Sequence, residues 1–177
     1  MMKKMLCAAM AAALCLSLLS ACSGNKADGT SQAPEKDVDL AAFAQTLTET
    51  HEFSGFLERI DTEDENMGEY MADLLSNYYP GLTDLELKQM EIYMSMISFS
   101  SGELALVEAK TGDDAAKVQE IFQSRVDSKT TEGPNNYPEE VEMWQRSSKI
   151  VSNGNNVMLV CAEDCDAIVS EFNALFS

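Results

Sequence analysis

A chain of 177 residues carries enough material for one ordinary hydrophobic core, and its 12 Lys+Arg against 30 Asp+Glu leave a formal net charge of -18. That balance excludes nucleic-acid recognition through phosphates, which needs clustered Lys and Arg, and it repels anionic lipid. It favours solubility and cationic partners, though most such charge is a solvated face.

Lys3 and Lys4 open the chain, and an apolar run from Met5 to Leu19, broken by Ser17, follows. The run is about 15 residues, or roughly 22 Å of helix at ~1.5 Å per residue. A spanning helix wants about 20 apolar residues, so the stretch suits the core of a signal peptide instead. Leu19-Ser20-Ala21-Cys22 then reads as a lipobox. Leu19, Ser20 and Ala21 are the signal-peptidase recognition residues, and Cys22 supplies the thiolate for a diacylglyceryl thioether. The expectation is a lipoprotein signal peptide over 1–21. The mature chain is then held through palmitate-type acyl chains on Cys22 at the extracytoplasmic face of the cell membrane. Two acyl chains anchor stably where one does not, at about 0.8 kcal/mol per buried CH2. Cleavage removes Lys3 and Lys4 and no acid, so the mature chain is more acidic still. Ser23 to Lys36 contains no large apolar residue. Residues 22–38 are therefore expected as a flexible tether with a reach of about 20 Å.

A single domain is expected over 39–177. Asp37 or Asp39 can cap a first helix whose Leu40, Phe43, Ala44 and Leu47 share one face and which fades near His51. The apolar patch Phe53, Phe56, Leu57 and Ile60 leads into the acidic stretch Asp61-Thr62-Glu63-Asp64-Glu65-Asn66. A second helix is expected near Met67–Asn77, ended by Tyr78-Tyr79-Pro80-Gly81, where Pro80 restricts Tyr79 and Gly81 permits a turn. Met90, Ile92, Met94 and Met96 alternate with polar residues, which predicts a strand near Lys88–Ser98. Glu103–Lys110 is a second strand, with Leu104, Leu106 and Val107 placing apolar groups on both faces. Thr111 and Asp114 have capping-box spacing before a helix with the stripe Ala115, Val118, Ile121, Phe122 and Val126. After a polar loop over 128–136, Pro138 with Glu139 and Glu140 suits a helix first turn, with Val141 and Trp144 inward. Ser148–Ser152 and Val157–Cys161 flank the Asn153-Gly154 hairpin signal. The last helix, near Glu163–Phe176, aligns Cys165, Ile168, Val169, Phe172, Leu175 and Phe176. Two strand-strand-helix units predict an α+β fold, with one antiparallel or mixed sheet of about four strands and helices packed on one face.

This layout resembles a family of small Gram-positive lipoproteins known as domain of unknown function 4358. The resemblance rests on the lipobox at Cys22, the Tyr78-Tyr79-Pro80-Gly81-Leu82 turn and the Glu103–Lys110 strand running into an acid-capped helix. Tyr137-Pro138 and the Asn-Gly hairpin complete it, over most of residues 40–176. The family usually has a shorter Tyr-Gly-Leu where this chain has Tyr79-Pro80-Gly81-Leu82. The resemblance implies the outer face of a single cytoplasmic membrane and supplies no catalytic residue.

Motifs for chemistry are sparse. His51, the one histidine, accompanies neither G-x-S-x-G nor H-E-x-x-H, so no catalytic residue is assigned. Cys161 and Cys165, spaced C-x3-C, stay open between a disulfide, buried thiols and a redox or metal pair. Asp61, Glu63, Asp64 and Glu65 offer carboxylates, but counted as an EF-hand loop they place Asn66 and Ala72 where Gly and Glu are needed. Met90, Met94 and Met96 have the thioethers Cu(I) favours, yet they share a face with Ile92, as core residues do. No metal and no cofactor is assigned. The expected function is an envelope lipoprotein acting as a binding or protein-interaction module, with an envelope protein or a small ligand as partner. An envelope hydrolase using paired carboxylates and an accessory subunit of an envelope complex are the alternatives.

Overall fold

The computed structural model describes residues 36–97, 100–131 and 137–177. The signal peptide and lipobox expected over 1–22, most of the tether, Ser98 and residues 132–136 of the polar loop lie outside these residues.

The elements are α1 (Leu40–Thr50), β1 (Leu57–Arg59), α2 (Gly68–Tyr78), β2 (Leu87–Ser95), β3 (Glu103–Ala109), α3 (Gly112–Thr130), α4 (Pro138–Ser147), β4 (Ser148–Asn153), β5 (Asn156–Cys161) and α5 (Cys165–Ala174). Local chemistry sets several of their ends. Asp39, not Asp37, caps α1, its Oδ1 accepting from the Ala42 N–H at 2.9 Å. Thr111 caps α3 by accepting from the Asp114 N–H at 3.1 Å. Pro138 opens α4, where its missing N–H leaves nothing unsatisfied. Gly81 turns the chain after α2 with φ +85°, and Gly154 turns the β4–β5 hairpin with φ +56°. Both values are left-handed backbone that glycine adopts without steric cost.

The sheet is fully antiparallel, in the order β1-β2-β3-β5-β4. It has five strands instead of about four. The extra strand, β1, is a three-residue edge, too short to show alternation in sequence. Besides the ladder, two further links hold it to β2. Ile60 N–H donates to the Ile92 carbonyl at 2.8 Å, and Arg59 reaches Glu91 through Nε at 2.8 Å and Nη2 at 3.1 Å.

Helices cover both faces of the sheet, which corrects the one-face expectation. Every residue of β3 and of β5 is buried. Successive side chains of a strand point to opposite faces, so strands apolar on both faces need cover on both. Ala105, Val107, Val157, Leu159 and Cys161 share one layer with Met71 and Leu75 of α2, Phe122 of α3 and Trp144 of α4. Leu104, Leu106, Met158 and Val160 share the other with Leu40 and Leu47 of α1 and Ile168 and Phe172 of α5. Burying one such large side chain contributes about 1.5–3 kcal/mol, against about 1 kcal/mol for a cap. The apolar layers therefore decide which face each helix presents, and the caps trim its ends. One polar link fastens α1 to the sheet. The Gln89 side chain of β2 accepts from Leu40 N–H at 3.0 Å and donates to the Val38 carbonyl at 2.7 Å. Among the described residues no helix is long and apolar enough to cross a membrane.

Candidate functional site

The end of α2, the start of β3, and α3 with α4 meet around a buried ion pair. Glu103, the first residue of β3, lies in phase with Ala105 and Val107 and so faces the α3 layer. Arg125 lies three residues after Phe122 and seven after Val118, on the buried stripe of α3. The two meet in the core, Glu103 at 2 % exposure and Arg125 at 7 %. Arg125 Nε donates to Glu103 Oε1 at 2.9 Å and Nη2 to Oε2 at 2.6 Å. The Tyr79 hydroxyl also donates to Glu103 Oε1. The guanidinium lies 4.4 Å from the Tyr78 ring centroid, with Trp144 at 5.7 Å and Tyr79 at 5.9 Å. Burial opposes the charge on Arg125, but the Glu103 carboxylate outweighs it and raises the Arg125 pKa. Burial first, and then the Glu103 charge, push the Tyr79 phenol well above its ordinary value, so it stays a neutral donor.

One turn along α3, Lys129 pairs with the buried Glu140 of α4. Two polar atoms beside this pair, Glu140 Oε2 and Trp144 Nε1, are buried without a hydrogen-bond partner. Of these groups, Tyr78, Glu103, Arg125, Lys129 and Trp144 line a cavity of about 250 Å3. Its polar residues are Ser95, Ser100, Glu103, Arg125, Lys129 and Trp144, and Tyr70, Tyr78, Met96 and Ile97 form an exposed apolar rim. Both Glu103 oxygens are engaged. The site thus presents one unpartnered donor, Trp144 Nε1, and one unpartnered acceptor, Glu140 Oε2, beneath an aromatic mouth. That arrangement suits holding a group more than moving a proton.

The sequence candidates lie elsewhere. His51 sits at the C-terminal end of α1, its Nδ1 2.5 Å from Asp164 Oδ2 and its Nε2 3.1 Å from Glu171 Oε1. It bridges α1 to α5 and is far more engaged than a frayed helix end suggests. Cys161 and Cys165 are both buried free thiols in the structure. Cys161 packs in the α3–α4 layer and Cys165 in the α1–α5 layer, so the sheet itself separates them. In the acidic stretch, Asp61 accepts from Glu63 N–H and pairs with Arg59, while Asp64 accepts from Asn66 and Met67 N–H. These bonds to Asn66 and Met67 hold the Asp64 carboxyl below its ordinary pKa. Among the described residues no three His, Cys, Asp or Glu side chains converge to hold a metal ion. Ile92 and Met94 are core, Met90 packs against it, and Met96, beyond the end of β2, is exposed. Leu19, Ser20, Ala21 and Cys22 lie outside the described residues.

The cavity itself was missed. Its charged residues look like ordinary surface charges in composition, and only their phase on β3 and α3 marks them as inward.

The family model described as a domain of unknown function (DUF4358) matches residues 57–162. The matched span runs from β1 through β5 and contains all the cavity residues, while α1 and α5 fall outside it. No curated protein and no solved structure matches the chain.

Proposed function

The chain belongs to the DUF4358 family, and on that premise we propose that it is a lipid-anchored envelope lipoprotein whose α+β domain is a binding module. Its recognition site is the cavity between α2, β3, α3 and α4. One observation carries this reading. Tyr70, Tyr78, Met96 and Ile97 are four of the seven large hydrophobics exposed among the described residues, and all four gather at this one mouth. Exposed apolar groups concentrated over unpartnered polar groups are what a binding site needs. The doubly engaged Glu103 carboxylate favours recognition over the hydrolase alternative, which requires an acid free to exchange its proton. Anchoring rests on Leu19-Ser20-Ala21-Cys22, since a chain this acidic needs its acyl chains to stay at an anionic membrane.

The test is cross-linking in intact cells with wild type, Cys22→Ser and Tyr78→Ala. Cys22→Ser is expected to leave the membrane fraction, and both variants are expected to lose a protein captured by wild type. Membrane retention of Cys22→Ser like that of wild type would overturn the anchor. A partner kept by Tyr78→Ala would move recognition away from the cavity.

A further inference from the structure

Building on the cavity as the recognition site, we infer that its occupant is an uncharged sugar ring. Charge sets the first limit. The lining holds two cations, and each already faces a carboxylate: Arg125 pairs with Glu103, and Lys129 with Glu140. The charges cancel. An anion would meet two carboxylates whose cations are committed, and a cation would meet Arg125 and Lys129. A charge carried into such a site goes unmatched and loses its water as well. Hydrogen bonding sets the second limit. Trp144 is buried, lines the cavity and keeps Nε1 without an acceptor. Glu140 is buried one turn earlier on the same face of α4 and keeps Oε2 without a donor. Its other oxygen is held by Lys129, which lines the cavity. The unmet groups are therefore one donor and one acceptor, and the occupant has to answer both. A hydroxyl does so from a single atom, with one O–H to give and two lone pairs to receive.

The rest of the lining extends the match. Ser95 and Ser100 add hydroxyls to it, so a ring bearing several hydroxyls answers it more fully than one amide does. Tyr70 and Tyr78 stand exposed at the mouth. The face of an aromatic ring is electron-rich and attracts the slightly positive C–H groups on the flat side of a sugar. A sugar thus presents hydroxyls at its edge for the interior and C–H groups on its face for the rim. Size sets the last limit. A cavity of about 250 Å3 falls below the roughly 300–1,000 Å3 of sites for drug-sized ligands. It admits one ring, with any further units of a chain outside the mouth.

Trp144 is the one tryptophan in the chain, so its fluorescence reports on this cavity directly. The experiment titrates the full-length protein in a detergent without a sugar head group. The probes are the methyl glycosides of glucose, galactose, mannose and N-acetylglucosamine, the charged analogues glucosamine and glucuronate, and N-acetyl-alanine methylamide. At least one neutral glycoside is expected to give a saturable change in Trp144 emission. Both charged analogues and the amide are expected to bind at least about tenfold more weakly than that glycoside. Tyr78→Ala is expected to weaken the glycoside by a similar factor. Trp144→Phe, which removes the Nε1 donor and is read by saturation-transfer NMR, is expected to do the same. Binding of either charged analogue as tight as the best glycoside, equal binding of the amide, a response unchanged in Tyr78→Ala, or no saturable response to any neutral glycoside overturns the inference. If the cross-linked partner still depends on Tyr78 in that case, the recognition site stands and only the ligand class falls.

Discussion

Arg125 holds both carboxylate oxygens of Glu103, at 2.9 and 2.6 Å, although 22 residues separate them. The pair ties the start of β3 to the fourth turn of α3 within the core. Removing one partner leaves an uncompensated buried charge, which costs about 3–5 kcal/mol. Glu103→Ala and Arg125→Ala should each destabilise the domain by that amount. The double variant Glu103→Ala with Arg125→Ala should cost clearly less than the two single losses together. Urea denaturation of all four proteins closes the cycle, and additive losses would show that the pair is not coupled.

His51 makes stability depend on pH. Burial pulls its pKa down, but Asp164 and then Glu171 outweigh burial and raise it above 6.5. The protonated ring therefore stabilises the folded chain fully below the unfolded value of about 6.5. That contribution is lost as pH rises through the higher folded value. Both carboxylates are about half exposed, so the loss should be about 1 kcal/mol or less. His51→Gln should abolish the decline in that window. A variant that declines as steeply as wild type would place the titrating group elsewhere.

Burial is the main force raising the thiol pKa of both Cys161 and Cys165. Neither should react with iodoacetamide at pH 8 in the folded protein, since the thiolate is the nucleophile. Both should label once urea unfolds the chain. Mild oxidant should form no bond between them, because they pack on opposite faces of the sheet. Peptide mapping by mass spectrometry reads both outcomes, and a 161–165 disulfide in native protein would contradict the packing.

Two neighbouring acids at the start of α1 should behave differently. Asp39 accepts from the Ala42 N–H, so Asp39→Ala should cost about 1 kcal/mol through loss of the cap. Asp37 is exposed and caps nothing, so Asp37→Ala should fall within about 0.5 kcal/mol of wild type. Thermal melts of the two single variants separate these cases.

Periodicity made α1, α3 and α5 and the long strands legible, because their apolar stripes are strong and local. The second helix layer also had a sign in the sequence. Leu104, Leu106 and Val107 leave β3 with no polar face, and such a strand demands cover on both sides. β1 had no sign, because three residues cannot show a period. The cavity was legible only in part. Arg125 is in phase with Val118 and Phe122, and Glu103 with Ala105 and Val107, so each can be placed facing inward. That they face each other depends on which helix lies over which strand, and no local pattern encodes that. The acids of 61–65 carry no ligation motif in the sequence, and Asp61 and Asp64 shape the turn before α2.

The Gln89 clamp gives the domain a mechanical entry point. Its amide grips the backbone at Val38 and Leu40, on either side of the α1 cap. Tension arriving along the N-terminal chain is therefore handed to β2 before it can peel away the first turn of α1. β2 is paired along both edges, with β1 and β3, so the load spreads across strand ladders instead of concentrating in one helix end.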